Sequence, residues 1–402
     1  MLRIDGKIYD VRGFIHEHPG GDSLLLASAE RDMSVNFHAY HPRDVNISDY
    51  PSIRQVGEYT EVPPRFTYDH LGELKRRVYQ HLRHSPYRSW HRLYRVMWVL
   101  LIWCGLYCVW LSRMNVVSSI CLGLWAFPTA ANLYHTQSHR PDQQWSTSRY
   151  FWDLLGASTE VWKYQHNVLH HQYVNTPDDP DVAAGFPLLR FHETQLYKWY
   201  HQFQFFYVLP LYTLTHFGIL LHNLVVTLAP SVVHHMIPTL YGLPVSKRNY
   251  IVTRVPYFCI FFGIPIMCMG HEWSVVLTMY VLFSLVIGFV AGLFFAASHI
   301  SSKIDRQPKD PCLKSVGTFI AWQSSQSVNI HSDSLIANVL FGGLNQQIEH
   351  HLLPSLDNLQ LYHVSGIVRT FLCERGLAYN DCSLYDAIRM HLERISQLAN
   401  HE

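Results

Sequence analysis

The chain has 402 residues, 49% of them hydrophobic and 14% aromatic, with Asp, Glu, Lys and Arg together at only 15%, against about 25% in an average soluble protein. That deficit points to a membrane protein, and a formal net charge of +1 removes the global basic field that would argue for nucleic acid as a partner. Histidine is the second anomaly: 27 of them nearly match the 31 lysines plus arginines, more than solubility requires.

The opening MLRIDGKIYDVRGF carries charges where a signal peptide would need an apolar core, which predicts a cytosolic N-terminus. Residues 1–62 mix charged and apolar residues like a soluble domain. They hold FHAYHP at 37–42 and HPGG at 18–21, by itself an ordinary turn in which glycine supplies positive φ. The prolines of EVPPRF at 61–66 favour an extended linker and place a boundary near residue 63. Lys75, Arg76, Arg77, Arg88, Arg92 and Arg95 then precede the first long apolar run, a flank that the positive-inside rule puts in the cytosol.

Between Arg95 and Arg113 lie 17 uncharged residues, and between Arg113 and His135 another 21, each near the roughly 20 needed to cross a bilayer core. SRMN at 112–115 leaves room only for a tight turn, so these two form a transmembrane hairpin. Residues 199–246 contain no Asp, Glu, Lys or Arg, which predicts a third span near 204–228. The runs 255–271 and 273–298 are apolar too, split by Glu272. Crossings by all three would put the flanking histidine-rich regions on opposite sides of the membrane, so 255–271, with its glycines and prolines, is expected to be interfacial or re-entrant. Residues 303–402 are polar enough to be cytosolic. Cys104, Cys108, Cys121, Cys259 and Cys268 lie in apolar stretches and Cys312, Cys373 and Cys382 are scattered, without a CxxC pair, so all read as reduced thiols.

Histidines cluster in HTQSH at 135–139, HNVLHH at 166–171 and QQIEHH at 346–351. Four-residue offsets in the first two place partners about one α-helical turn apart, while adjacent residues differ by about 100° and can serve different ions. Imidazole suits iron, copper, zinc or nickel, and so many nitrogens exceed the four ligands of one zinc ion, which implies a two-metal site. His234 and His235 have no histidine three or four residues before them and read as a pair near an interface.

The order HxxxH, HxxxHH and QxxHH, separated by apolar hairpins, resembles the histidine boxes of membrane di-iron fatty acyl desaturases, and the form beginning with Gln347 is typical of the front-end type. NTPDDPDV at 175–182 and GGLNQQIEHHLLP at 342–354 are similar to the family's surroundings of the second and third boxes. The resemblance implies a di-iron ligand set of His135, His139, His166, His170, His171, His350 and His351, joined by His299 in FFAASHISS, which matches a family histidine just past the last transmembrane helix. Gln347 stands where other desaturases have a histidine ligand and joins the candidate metal set, binding weakly, through water or not at all, whereas His331 matches no family role. Asp179 and Asp181 are expected to orient ligand imidazoles or to cap the loop. One departure is the second box, in which many front-end desaturases have HxxHH and this chain has Asn167 in an HxxxHH.

GKIYDVRGF at 6–14, HPGG and FHAYHP together resemble cytochrome b5, with His18 and His41, 23 residues apart, as axial haem ligands and His38 as the rival to His41. Bis-histidine ligation leaves no open iron position and suits electron transfer. The family's first strand and its tryptophan are missing from the match, and Glu30 replaces a glycine common after the alanine at Ala29; both are expected to lower stability or haem affinity.

The implied fold is mainly α: a multispan α-helical membrane domain with cytosolic di-iron helices over 93–402, a basic juxtamembrane linker at 63–92, and a small α+β cytochrome b5-like domain at 1–62. The implied activity is desaturation of a long-chain acyl lipid, as acyl-CoA or phospholipid, held in an apolar tunnel. It would use O2, haem b, two non-haem Fe and cytochrome b5 reductase as electron donor, in the endoplasmic reticulum membrane. Rival implications are a hydroxylase or sphingoid-base desaturase with the same boxes, and a non-catalytic haem membrane protein similar to the cytochrome b5-related proteins of insects. An intramembrane-histidine transporter fits less well, because the boxes lie beyond the apolar runs.

Overall fold

The computed structural model describes residues 1–59, 66–85, 89–135, 138–139, 150–232, 240, 243–304 and 317–400. The linker prolines, Arg88, His234, His235 and Cys312 lie outside them. At the N-terminus, strands β1 (Leu2–Ile4), β2 (Lys7–Asp10) and β3 (Arg54–Glu58) form an antiparallel sheet in that order. Asp5 and Gly6, with φ of 51° and 76°, make the two-residue turn between β1 and β2 that favours this dipeptide. Helices α1 (Asp22–Ala27) and α2 (Ser34–Tyr40) complete a small α+β unit.

Residues 66–84 form a packed strut. Strand β4 (Phe66–Thr67) pairs in parallel with β5 (Gly317–Thr318), and α3 (Leu71–His84) buries Leu71, Leu74 and Val78 in one core with Val35 and Ala39 of α2 and Leu361, Val364 and Val368 of the C-terminal region. The Lys75 ammonium is buried here, donating to the carbonyls of His38 and His41. Its pKa falls to about 8 because burial opposes its charge.

The membrane domain is built on two helical hairpins. Helix α4 (Ser89–Arg113) turns into α5 (Val116–Ala130), whose start is fixed by a capping box between Asn115 and Ser118. Among the described residues, four helices are long and apolar enough to cross a membrane: His91–Arg113, Val116–His135, Lys247–Cys268 and Trp273–His299. Their outward faces expose Leu93, Trp98, Leu101, Val255, Phe258 and Leu277, as lipid contact requires. His271, in the second hairpin's turn, places Nε2 2.6 Å from the Leu111 carbonyl at the end of α4, so the two tips lie together. Gly123 of α5 lets the backbones close, since a Cβ there would sit 2.9 Å from the Phe283 carbonyl oxygen of the last span.

Two segments exchange the roles that the sequence suggested. The 204–228 run is not one straight span: α6 (Gln204–Tyr212) and α7 (Thr215–Leu228) belong to two pieces bent by 85°, near Pro210, which lacks a helical N–H. The 255–271 run is not an interfacial element by itself. Its apolar residues continue α8 (Lys247–Phe258) into a π-helical stretch, Cys259–Cys268, that absorbs Pro265 before α9 (Trp273–His299). The break needed to bring the histidine-rich regions together therefore falls at residues 213–214. With both hairpins out and back, His135 and His299 end on the same side.

Candidate metal centre

Each histidine box sits where a helix changes pitch or ends. Helix α5 loosens into a π-helical turn, Ala131–His135, with His135 as its last residue. The second box lies in a continuous π-helix, Lys163–His170, followed by a short α-turn, His171–Tyr173. The α-helical spacing expected there, with neighbours about 100° apart, is therefore corrected. Hydrogen bonding from i to i+5 brings residues four and five apart onto one face, and the rings of His170 and His171 lie 5.2 and 4.9 Å from that of His166. The third box is a short helix, α10 (Gln347–Leu352), and His299 closes α9.

The structure gathers all eight box and span-end histidines in one buried place. Ligand-capable nitrogens of His135, His139, His166 and His350 lie within 4.8 Å of one another, as do those of His170, His299 and His351. His171 stands between the two groups, its ring centre 4.8 Å from His139, 4.7 Å from His350 and 4.5 Å from His351. Among the described residues, eleven ring nitrogens of these eight histidines are buried without a hydrogen-bond partner. Unpaired buried polar atoms are costly and call for an unseen partner, and lone pairs converging at metal-site spacing fit two cations.

Electrostatics point the same way. Burial holds His139, His166, His171, His350 and His351 well below the ordinary imidazole range, so they are neutral donors. His170 differs: burial opposes its charge, but the carboxylates of Asp179 and Asp181 outweigh it and raise its pKa to about 9. Nδ1 of His170 lies 3.0 and 3.1 Å from the two Asp179 oxygens, which leaves Nε2 to face the cluster. The two roles expected for Asp179 coexist, because its carboxylate also accepts from the Asn175 and Asp181 backbone N–H groups and caps the short helix Pro180–Ala183.

Trp162 and Glu349 are neighbours of the site that the sequence did not reveal. Trp162 stacks on His166 with ring centres 5.0 Å apart. Glu349, fully buried behind the third box, accepts from Tyr379 Oη at 2.7 Å and Asn329 Nδ2 at 2.8 Å, and burial raises its pKa to about 7. Asn167, the departure within the second box, donates through Nδ2 to the Ser138 carbonyl at 2.7 Å and so staples the second box to the first. Gln347 is buried at the start of α10, one turn before His350 and His351. His331 lies at the surface, its ring accepting the Leu384 N–H at 3.2 Å.

In the N-terminal unit, the ring centres of His18 and His41 are 6.3 Å apart. Two metal–imidazole bonds of about 2 Å, plus about 1 Å from each nitrogen to its ring centre, span roughly that distance. Each Nδ1 is matched to a backbone carbonyl, His18 to Gly21 at 3.3 Å and His41 to Phe37 at 2.7 Å, which keeps the opposite nitrogen for a ligand. A Cβ at Gly20 would lie 2.6 Å from the His18 ring, so the first glycine of HPGG permits that ring's position. The rival His38 is engaged elsewhere, with Asp5 at 2.8 Å and stacked on Tyr68.

Buried paired imidazole clusters at one end of span-length hairpins, joined to a small α+β unit with two facing histidines, define a multi-pass membrane oxidoreductase. The fatty acid desaturase family matches residues 113–383, about two thirds of the chain, and a cytochrome b5-like heme/steroid binding domain matches residues 1–80. The chain belongs to the fatty acid desaturase family. It is 26% identical to an acyl-lipid (8-3)-desaturase of Physcomitrium patens over 99% of this chain and 88% of that protein. It is also 26% identical to a chloroplastic acyl-lipid (7-3)-desaturase of Chlamydomonas reinhardtii, over 95% and 77%. A Delta(5) fatty acid desaturase A of Dictyostelium discoideum shares 24% identity over 99% and 90%.

Proposed function

We propose that this protein is a front-end-type desaturase that introduces a double bond into a long-chain acyl lipid, using O2 and electrons relayed through its own b5-type haem from cytochrome b5 reductase. The observation that carries the reading is the set of unpartnered, buried ring nitrogens in two adjoining groups. His135, His139, His166 and His350 would hold one iron, His170, His299 and His351 would hold the second, and His171 lies between the two groups. When bound, the two irons supply the oxidising chemistry with O2 that removes hydrogen from an unactivated methylene.

The chain's own residues prepare that chemistry. Burial keeps most of the imidazoles neutral, so they ligate without first losing a proton. Asp179 holds His170 by Nδ1 and aims its other nitrogen inward. Gln347, buried at the start of the third-box helix, would complete the donor set beside the histidines. His18 and His41 would hold the haem, which would supply electron transfer. Taking O2 to two waters needs four electrons and four protons: the two C–H bonds of the substrate would supply two of each, and two further electrons would arrive through the b5-like unit with two protons from solvent. The centre sits at one end of the apolar helices, where an acyl chain can enter from the bilayer while its carrier stays in water. The N-terminus and the boxes are cytosolic, on the endoplasmic reticulum membrane.

The test is the ratio of non-haem iron to haem in detergent-purified, anaerobically reduced protein. About two non-haem irons per haem are expected from the size of the donor set, followed by a new double bond in acyl products seen by mass spectrometry. Haem without non-haem iron after iron-replete expression would overturn the reading in favour of a non-catalytic haem protein.

A further inference from the structure

Tyr40 ends α2, one residue before His41, and reaches into the histidine clusters. Its Oη lies 2.8 Å from Nδ1 of His139 and 3.2 Å from the Asn167 carbonyl oxygen. That carbonyl belongs to the π-helical second box and also accepts from Asn36 Nδ2 at 3.2 Å, which reaches the Val168 carbonyl at 2.9 Å as well. Helix α2 is thus latched onto the second box by two side chains one turn apart. Asn167 passes the latch on, because its side chain grips Ser138, the residue before His139.

The hydroxyl has one hydrogen to donate and lone pairs to accept with. A neutral imidazole that ligates a metal through Nε2 keeps its proton on Nδ1 and needs an acceptor there. With its O–H directed to the Asn167 carbonyl, Tyr40 offers that acceptor and leaves Nε2 of His139 as a bare lone pair. This Nε2 is buried without a partner, within the first cluster. One side chain and one hydrogen bond therefore connect the residue beside His41 to His139.

We propose that Tyr40 is a positioning residue through which the b5-like unit sets His139 for metal, so that metal affinity of the first cluster depends on a contact made from the neighbouring domain. The proposal rests on the two-metal reading above and adds a residue to it. Neither the box pattern nor the HPGG motif contains Tyr40, and its role follows from the docking geometry alone.

Cobalt(II) is titrated anaerobically into full-length, haem-loaded protein freed of non-haem metal, and its visible bands are followed in wild type, Tyr40→Phe and His139→Ala. Wild type is expected to bind two cobalt ions, and His139→Ala to show the spectrum that remains when the first cluster is damaged. Tyr40→Phe is expected to keep the Soret band and thermal midpoint while binding one of the two ions roughly 10- to 100-fold more weakly, the usual effect of losing an outer hydrogen-bond partner. Incorporating 3-fluorotyrosine at position 40, which keeps the shape and weakens the acceptor, is expected to give an intermediate loss. Wild-type affinity for both ions in Tyr40→Phe would overturn the proposal. Wild-type protein that binds no cobalt would instead overturn the two-metal reading beneath it.

Discussion

The chain uses histidine in two opposite surroundings. His18 and His41 are half-buried in a small unit, each with Nδ1 on a backbone carbonyl within four residues of it. The eight box and span-end histidines come from four separate segments and are each at most 9% exposed, with most partners supplied by distant side chains or by none. The first arrangement is local, and a short motif nearly specifies it. The second is tertiary: no segment holds enough ligands for either ion, so the centre exists only once α5, the second-box helix, α9 and α10 have packed.

Independent loss of the two sites is the largest expected effect. His170→Ala is expected to abolish non-haem iron occupancy and leave haem absorbance intact, and His18→Ala to do the reverse, both read by iron assay and Soret absorbance. Loss of haem in the first variant would break the contrast. Asp179→Asn removes the carboxylate charge behind His170 while keeping an N-capping oxygen, and is expected to weaken metal binding by roughly 10- to 100-fold, measured by chelator competition.

A pH experiment sharpens the contrast between ligand and purely structural histidines. His391 on the C-terminal helix, α11 (Leu384–Leu398), is fully buried between Tyr212 Oη at 2.8 Å and the Ile300 carbonyl at 2.7 Å. Burial lowers its pKa from 6.5 to about 4. The unfolded chain binds the proton first, so this contribution is present above pH 6.5 and is lost as pH falls toward 4, about 3 kcal/mol in all. Chemical denaturation of wild type and His391→Gln across that window is expected to show a shallower slope in the variant. Metal loading should leave the His391 share of the slope unchanged.

The smallest effect lies in the N-terminal unit. Glu30, which replaces the glycine usual in the b5 family, has a φ of 62°, a region that costs a side chain about 1 kcal/mol. Glu30→Gly is expected to raise the thermal midpoint of the haem-bearing unit, read by loss of Soret absorbance. No change would mean that the substitution carries no strain.

Much of the site was legible because metal chemistry restricts residue type. HTQSH, HNVLHH, QQIEHH and His299 stand out against an apolar background, and the structure collects every histidine among them. Gln347 was less legible, because a side-chain amide can ligate or hydrogen-bond with the same atoms. Asn167 looked like a departure from a motif. In three dimensions the box is a π-helix, and Asn167 uses its side chain to hold the first box and its carbonyl to receive Tyr40 and Asn36.

By itself the sequence determined the class of chain: apolar length set the first hairpin and the last span, and clustered imidazoles set a metal centre at their ends. Composition and spacing act along the chain, so they survive without coordinates. Only the tertiary structure decided which apolar run breaks, because both 204–228 and 255–271 contain prolines and each could bend or carry on. It alone decided the π-helical phase of the second box and the docking of α2 upon it. These depend on contacts between residues more than a hundred positions apart, as in the bond from Asn36 to Val168, and no local preference encodes them.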